Sequence, residues 1–368
     1  MQHTPLYTAH VSAGGRMVDF AGWEMPIQYS GVVDEYQTVR SRAGLFDVSH
    51  MGRVAVQGSG AVPFLQRVTT NNVAALPRMQ AHYSMLCNER GGIKDDIFVY
   101  RLAPDEFLLC VNASNREKIV SWLRHQGRET TDCRIEDRSA TLAQLAIQGP
   151  ASRDIMSAFG IPGLESLKLR HSCEASLLDV RCLIARTGYT GEFGYELYVP
   201  ASLASRLWEA LLTEGKTAGL KPAGLGARDL LRLEMAYLLY GSDISEETTP
   251  LEAGAGWAVA MTKGEFIGRS VLQQQQQEGT TRRLISFELL EKGVPRHGFA
   301  IRSPKAEGSQ IGEVTSGNLS PILQKGIGMG YVSPDHAAQG SSLIIDIRGK
   351  AVPAIVVKPP FYKQKRPL

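Results

Sequence analysis

Short, mostly apolar segments recur along the chain between polar and turn-forming residues, and such segments are typical of β-strands. The segments that predict strands most clearly are 97–100, 107–111, 181–185 and 195–199. Each is rich in β-branched or aromatic residues and is bounded by turn formers. Because strands and helices do not alternate strictly, the pattern predicts an α+β fold with largely antiparallel sheets.

Helical spacing of apolar residues appears between these strands. The three segments concerned are Ile119, Trp122 and Leu123 after a Ser114–Glu117 capping box; Leu203, Leu207 and Leu211 after a cap at Ser202; and the very apolar stretch 229–239. We expect this third helix to be buried.

The pattern changes once, near residue 280. Five consecutive glutamines at 273–277 end a predicted helix, and residues 278–281 (Glu-Gly-Thr-Thr) predict a linker. Residues 282–368 then show short strands and glycine or proline turns without helical spacing, which predicts a small all-β domain. We expect the alternating Gly326, Gly328 and Gly330 to form turns before a strand.

The composition excludes several functional classes. A net charge of +3, from 40 Lys and Arg against 37 Asp and Glu, is too small for wholesale nucleic-acid binding. Five cysteines without a Cys-x-x-Cys pair indicate neither a zinc site nor a disulfide framework, and the histidines form no metal-like cluster, so no metal is predicted. Without a secretory signal, transit peptide or membrane span, we expect a cytoplasmic protein; a mature organellar form is the alternative.

A pair of carboxylates follows two glycines in the segment Gly-Gly-Ile-Lys-Asp-Asp at 91–96. Strand alternation places Asp95 and Asp96 on opposite faces, with Asp96 on the face of Phe98 and Tyr100. A carboxylate in such an apolar space has a raised pKa and can transfer a proton near neutral pH. The alternative is that both aspartates accept hydrogen bonds from turn amides.

A second candidate is the segment 186–196, where three glycines permit sharp turns beside Tyr189 and Glu196. Glu196 alternates away from its apolar neighbours, and a carboxylate pairs well with the amino and ring N–H groups of a pterin. The alternative is an ordinary hairpin with an exposed glutamate. Arg228 and Asp229 begin the third predicted helix; the helix dipole accounts for Asp229, so Arg228 is the candidate for an anionic or carbonyl group.

The segment 47–51 (Asp-Val-Ser-His-Met) offers two further residues. His50 is either a base or, more commonly for a lone histidine, a structural hydrogen-bonding group. Met51 is of a type that lines pockets.

Together these segments resemble the glycine cleavage T-protein family over nearly the whole chain. The resemblance is carried by His3-Thr-Pro-Leu, 19–26 (Asp-Phe-Ala-Gly-Trp-Glu-Met-Pro), 46–52, 91–96, 148–150, 186–196, 224–229, 315–318 (Thr-Ser-Gly-Asn) and 358–362 (Lys-Pro-Pro-Phe-Tyr). Lys94 departs from the family pattern, in which an apolar residue is expected at this position.

The resemblance implies a fold of three domains arranged as a cloverleaf around a central folate channel. Residues 1–52 with 140–250 would form the first folate-binding α/β domain, and 53–139 with 251–278 a second, ferredoxin-like one. Residues 282–368 would form a β-barrel or jelly-roll domain, in agreement with the all-β prediction.

The activity implied is that of a tetrahydrofolate-dependent aminomethyltransferase of the glycine cleavage system. Ammonia leaves the aminomethyl-lipoyl arm of H-protein, and the methylene carbon passes to the co-substrate tetrahydrofolate to give 5,10-methylenetetrahydrofolate, without a metal. Asp96 would lie beside the reactive nitrogens and Glu196 at the pterin edge. The other residues implied to bind folate are Tyr83, Tyr189, Arg228, Tyr237, Met51, Asn112 and Tyr362, the last closing the channel mouth.

The basic residues Lys363, Lys365 and Arg366 would steer an acidic H-protein in a transient complex, although a solvated terminus explains them equally. No membrane or nucleic-acid partner is expected. Two alternatives share the fold: another tetrahydrofolate-dependent demethylase, and a non-catalytic folate-binding factor of iron–sulfur cluster assembly. The intact Gly-Gly-x-x-Asp-Asp at 91–96 favours the aminomethyltransferase over the first, and the absence of a Lys-Gly-Cys-Tyr-x-Gly-Gln-Glu signature disfavours the second.

Overall fold

A computed structural model describes residues 1–304 and 308–363 of the chain. The described strands are β1 (Arg16–Phe20), β2 (Trp23–Gln28), β3 (Ala43–Asp47), β4 (Gly52–Gln57), β5 (Gln80–Cys87), β6 (Ile93–Ala103), β7 (Glu106–Val111), β8 (Arg134–Asp137), β9 (Leu142–Gln148), β10 (Ser172–Leu177), β11 (Val180–Ala185), β12 (Gly194–Pro200), β13 (Leu220–Pro222), β14 (Arg283–Leu289), β15 (Ala300–Arg302), β16 (Gln310–Ser320), β17 (Lys325–Val332), β18 (Ser342–Ile347) and β19 (Lys350–Val357). The described α-helices are α1 (Tyr7–Ser12), α2 (Val32–Ser41), α3 (Ala61–Val68), α4 (Arg116–Gly127), α5 (Ser152–Ser157), α6 (Ala204–Glu214), α7 (Leu225–Glu234) and α8 (Arg269–Glu278).

The four predicted strands are confirmed in β6, β7, β11 and β12, and the three predicted helices in α4, α6 and α7. The predicted caps are wrong. Neither Ser114 nor Ser202 caps a helix, because each lies in a short 3₁₀ turn that leads into α4 or α6. Such a turn satisfies helix amides with backbone carbonyls instead of side chains.

Helix α7 begins four residues earlier than predicted and ends at Glu234 rather than at residue 239. It ends there because Ala236 has φ of +54°, a left-handed conformation that a right-handed helix does not contain. Asp229 therefore lies beyond the first turn, which contains no acidic residue, and the helix dipole does not account for it. Its carboxylate instead accepts a hydrogen bond from Nε of Arg232 at 2.8 Å.

The first large sheet has six strands in the order β10-β11-β12-β9-β3-β13. Its pairs are antiparallel except for β3 and β13. Leu207 and Trp208 of α6 pack in the core on one face. Leu230 and Leu231 of α7 pack in a separate core beside Phe46 of β3. Each helix thus buries its apolar stripe against a different face of the sheet.

The second sheet has five antiparallel strands in the order β5-β6-β7-β4-β8. Ile97 and Val99 of β6 lie in the core that helices α3 and α4 cover. Phe98 and Tyr100 lie on the opposite face and pack in a cluster with Tyr198 of the first sheet. The two sheets therefore meet on the face of β6 that also carries Asp96.

The chain leaves the first sheet after β3, forms the second sheet, and returns at β9. Residues between 244 and 272 then pack against β5 and β6. Because the two units are interleaved along the chain in this way, no linker separates them before residue 270. The boundaries 1–52 with 140–250 and 53–139 with 251–278 stay predictions.

The C-terminal strands form a closed barrel in the order β14-β17-β16-β15-β18-β19. Phe287, Ile301 and Val314 are among its core residues, and all three are completely buried. The mixed α/β units with antiparallel sheets and a C-terminal barrel confirm the predicted fold class. The alternating glycines lie inside β17 and not in turns; a Cβ atom on Gly328 would lie 2.5 Å from the ring of Phe287.

Candidate active site

Asp96 lies on β6 between two side chains that donate hydrogen bonds to it. The Tyr83 hydroxyl, on β5, donates to Oδ2 at 3.0 Å. The Asn112 side-chain amide, directly after β7, donates to Oδ1 at 2.8 Å. Because β5 and β7 flank β6 in the sheet, the three residues meet although they are distant in sequence. Both donors stabilise the ionised carboxylate and fix its orientation.

Asp95 is completely buried and has different partners. It accepts hydrogen bonds from the Asn112 backbone N–H at 3.0 Å and from the Asn112 and Asn115 side-chain amides, both at 2.8 Å. Asn112 thus bridges the two carboxylates. The partners of Asp95 are thus Asn112 and Asn115 and not amides of the Gly91–Gly92 turn, as the alternative interpretation had it. Asp96 instead has a tyrosine partner and faces the contact between the sheets.

Burial raises the pKa of both aspartates above the ordinary range of a carboxyl group. The charge of Asp96 raises the pKa of Asp95 further, whereas the hydrogen bonds from Tyr83 and Asn112 oppose the effect of burial on Asp96. Two carboxylates so close together resist simultaneous ionisation. The pair can therefore hold or release a proton near neutral pH.

Lys94, the departure from the family pattern, is paired outside this cluster. Its Nζ donates to Glu246 at 3.2 Å and lies 5.7 Å from the ring centroid of Trp122. Glu246 also accepts a hydrogen bond from Lys118 at 3.1 Å. Lys94 thus forms an ion pair with Glu246.

Trp257 extends the site with an exposed aromatic surface. Its ring stacks on Tyr83 with a centroid separation of 5.3 Å and an interplanar angle of 26°. Trp257 is 63% exposed, which is unusual for so large an apolar side chain in ring contact with a buried site. Sequence reasoning missed it; the only signal was a single tryptophan directly after the small-residue segment 253–256.

Glu196 lies on β12 with its carboxylate between the two sheets. It accepts hydrogen bonds from Gln144 Nε2 at 3.2 Å, from the Tyr100 hydroxyl at 3.3 Å and from the Thr187 hydroxyl. Its flanking residues lie in the first core, as alternation predicted, but Glu196 itself is only 9% exposed. It is therefore not the exposed glutamate of an ordinary hairpin. Gln144 was not predicted, because a glutamine inside an apolar strand carries no motif.

Tyr189, Tyr237 and Arg228 form a second cluster. The rings of Tyr189 and Tyr237 stack with centroids 5.6 Å apart, and Cζ of Arg228 lies 4.7 Å from the Tyr189 centroid. Burial is the main cause that raises the pKa of Tyr189, and the negative charge of Asp96 adds to it. The second cluster is therefore electrostatically coupled to the first.

A cleft of about 920 Å³ lies between α7 and the barrel strand β16. Of the nine predicted site residues it is lined by Tyr189 and Arg228 alone. The apolar and basic side chains that also line it include Phe20, Val33, Leu319, Arg296 and His297. The cleft thus reaches the second cluster, while Asp96 and Glu196 lie beyond its walls.

Met51 and Tyr362 are not among the described hydrogen-bond partners of Asp96. Met51 packs at the edge of the core that α7 covers. The ring of Tyr362 lies 4.0 Å from Cζ of Arg40, and its backbone N–H donates to the Glu234 carbonyl at 3.0 Å. The closure of a channel mouth by Tyr362 stays a prediction.

His50 is 2% exposed, and burial lowers its pKa to about 3. It is therefore neutral at physiological pH. Its Nδ1 has no hydrogen-bond partner among the residues that the structure describes, and its ring packs edge-on against Phe20 with centroids 5.5 Å apart.

Within residues 1–304 and 308–363, no group of three or more His, Cys, Asp or Glu side chains is placed to hold a metal ion. No helix in the same residues is long and apolar enough to cross a membrane.

Residues 6–263 match the family model described as GCVT N-terminal domain, and residues 282–363 match the model described as Glycine cleavage T-protein C-terminal barrel domain. The chain belongs to the glycine cleavage T-protein family. Two T-protein relatives, both named aminomethyltransferase, cover its length: one from Halothermothrix orenii is 48% identical over 98% of this chain and 100% of its own, and one from Bacteroides fragilis is 45% identical over 99% and 100%.

A crystal structure of glycine cleavage system aminomethyltransferase T from Bartonella henselae is similar to this T-protein chain over 99% of its length and 98% of that chain. The TM-score is 0.92 and the sequence identity 36%. These similarities favour the aminomethyltransferase over a demethylase with another donor or a non-catalytic folate-binding factor.

Proposed function

We propose that this T-protein is the aminomethyltransferase of a glycine cleavage system, and that it transfers the methylene carbon of an aminomethyl-lipoyl arm to tetrahydrofolate. Two C–N bonds form, to the two folate nitrogens, while the C–S and C–N bonds of the arm break. The two N–H protons of the folate pass to the lipoyl sulfur and to ammonia. The products are the reduced lipoyl arm, ammonia and 5,10-methylenetetrahydrofolate.

The observation that carries the proposal is the carboxylate of Asp96, held by Tyr83 and Asn112 where the two sheets meet. A folate amine becomes positively charged as it attacks the methylene carbon. An oriented carboxylate stabilises this charge and then accepts the proton. Two fixed donors leave Asp96 little freedom to turn away, which keeps the reacting atoms aligned.

Folate recognition is assigned to the residues around this carboxylate. Glu196 would accept hydrogen bonds from the pterin N–H groups, with Gln144 and Tyr100 holding its carboxylate in place. Tyr189 and Tyr237 would pack on the aromatic part of the folate, and Arg228 would bind a carboxylate or carbonyl oxygen. Met51, Asn112, Tyr83 and Tyr362 complete the proposed pocket.

We assign the partner as lipoylated H-protein in a transient complex, and the reaction to the cytoplasm. Of the basic tail, Lys363 is exposed. Lys365 and Arg366 lie outside the described residues. Their charge would attract an acidic partner without a large fixed interface.

The test is formation of 5,10-methylenetetrahydrofolate from tetrahydrofolate and aminomethyl-loaded H-protein, with wild type and Asp96→Asn side by side. We expect the variant to lose about 100-fold or more of its turnover, as for loss of a group that transfers protons. Asp179→Asn is the matched control, because Asp179 is exposed and its φ of +66° suits asparagine.

Tetrahydrofolate binding is measured separately by equilibrium dialysis. An Asp96→Asn protein that binds folate but does not turn over supports the assigned role. Full turnover in that variant would refute it. Wild-type protein that binds folate without turnover would identify another donor, or a non-catalytic protein.

A further inference from the structure

The segment 237–239, directly after α7, carries one wall of the proposed folate pocket. Tyr237 stacks on Tyr189, and the Tyr189 hydroxyl donates a hydrogen bond to the carbonyl of Leu238. The chain has left the helix here because of the left-handed conformation of Ala236. Backbone hydrogen bonds hold its two ends: the Tyr237 N–H donates to the Arg232 carbonyl at 3.0 Å, and the Leu239 carbonyl accepts from the Asp243 N–H at 2.8 Å.

Two charged side chains add further hydrogen bonds to the segment. Nη1 of Arg232 donates to the Tyr237 carbonyl at 3.2 Å and to Oδ2 of Asp243 at 2.8 Å. The Leu239 N–H donates to the same Oδ2 at 3.0 Å. Arg232 is 3% and Asp243 0% exposed, so this ion pair is desolvated and its geometry restricted.

The barrel contacts the same ion pair from the other side. The Thr315 hydroxyl donates to Oδ1 of Asp243 at 2.6 Å, and Nη2 of Arg232 donates to the Ser316 hydroxyl at 2.9 Å. The Tyr331 hydroxyl donates to the Asp243 carbonyl at 2.9 Å. Thus Oδ1 of Asp243 binds the barrel, and Oδ2 binds the pocket wall.

We infer that Asp243 is a positioning residue for folate and that the barrel, through the Thr315 hydroxyl, sets the placement of Tyr237 in the pocket. This inference rests on the proposed folate site. One orientation of the carboxylate satisfies Thr315, Arg232 and Leu239 together. Without the Thr315 hydroxyl, no barrel side chain donates a hydrogen bond to Oδ1 of Asp243. The carboxylate can then rotate, which weakens the hydrogen bond from the Leu239 N–H to Oδ2.

The test compares three variants on β16. Thr315→Val removes the hydroxyl with little change in volume. Thr315→Ser keeps the hydroxyl and removes only the methyl group. Ser320→Ala is the matched control: Ser320 also donates to a buried carboxylate, that of Glu234 at 2.5 Å, but none of the described hydrogen bonds of Glu234 reaches 237–239.

We expect Thr315→Val to weaken tetrahydrofolate binding about tenfold, because a hydrogen bond to a buried charge is lost, and to raise KM for folate more than it lowers kcat. Thr315→Ser and Ser320→Ala should keep the wild-type affinity, even where Ser320→Ala lowers Tm. In a Tyr237→Ala background Thr315→Val should cost no further affinity, since its effect passes through Tyr237.

Unchanged affinity in Thr315→Val, an equal loss in Ser320→Ala, or additive losses with Tyr237→Ala would each overturn the inference. If Thr315→Val does not fold, Asp243→Asn replaces it in the same titrations and the same cycle with Tyr237→Ala. Failure of the wild type to bind tetrahydrofolate would instead refute the proposed function, so the two failures are distinguishable.

Discussion

At the scale of single residues, Asp95 and Asp96 are chemically identical neighbours with different surroundings. Asp95 is enclosed by amide donors from Asn112 and Asn115, which is typical of a structural carboxylate. Asp96 shares Asn112 but also binds a tyrosine that stacks on an exposed tryptophan. The different partners explain why the second aspartate is the better candidate for catalysis.

Tyr83→Phe removes the hydrogen bond to Asp96 and keeps the ring that stacks on Trp257. That bond lowers the pKa of Asp96, so its loss raises the pKa. If the ionised carboxylate is required, the acidic limb of the profile of kcat/KM against pH moves to higher pH. We also expect kcat/KM at neutral pH to fall about tenfold, from the loss of a hydrogen bond to a charged group.

Tyr195→Phe is the control for this measurement. The Tyr195 hydroxyl donates to the Leu164 carbonyl at 3.1 Å in the core of the first sheet. Its removal should leave the pH profile in place. Identical profiles for Tyr83→Phe and wild type would show that the Tyr83 hydroxyl does not shift the pKa of Asp96.

At the scale of elements, helix α7 connects the first sheet to the barrel. Its apolar side packs on the sheet, while Arg232 and Glu234 bind barrel residues. Glu234 is completely buried and accepts hydrogen bonds from Tyr36, Arg40 and Ser320. Helix α7 is therefore held by polar contacts as well as by apolar packing.

Glu234→Ala should lower the free energy of unfolding by about 3 kcal/mol, because it leaves buried donors and part of the Arg40 charge without a partner. The measurement is urea unfolding followed by circular dichroism. Glu247→Ala is the comparison, since Glu247 pairs with Arg90 at 3.3 Å with side chains 76% and 77% exposed, and should cost about 1 kcal/mol or less. Equal losses in the two variants would contradict the structural role of Glu234.

At the scale of the whole molecule, the candidate site is assembled from parts that lie far apart along the chain. Asp96 and Tyr83 come from the second sheet, Glu196 from the first, and Tyr237 from a segment held partly by the barrel. The net charge of +3 is small, so attraction of a partner protein depends on where the basic residues lie.

Association with H-protein should weaken as salt increases. We expect KM for loaded H-protein to rise between about 50 and 300 mM NaCl, because screening shortens the reach of surface charges. A variant with Lys363→Gln, Lys365→Gln and Arg366→Gln should show a smaller rise. The control carries Arg124→Gln, Arg128→Gln and Lys216→Gln, which remove the same charge from exposed positions elsewhere. A rise independent of the tail would refute electrostatic steering by these residues.

The sequence by itself determined the approximate positions of four strands and three helices, the all-β C-terminal region and the face on which Asp96 lies. These features follow from the spacing of apolar residues, which can be recognised within a short segment of the chain. It also predicted Glu196 and Tyr189 as a pair of pocket residues, and the family resemblance added Tyr83, Asn112 and Tyr237.

Only the tertiary structure decided which of these residues touch. It joined Tyr83 and Asn112 to Asp96 through the order of strands in a sheet, and it revealed Trp257, Gln144 and Asp243. Long-range hydrogen bonds and stacking leave no periodic trace in the sequence, because their partners are separated by many residues. Helix ends were misplaced for a different reason. A 3₁₀ turn or the left-handed conformation of Ala236 depends on backbone geometry, which residue type constrains only weakly.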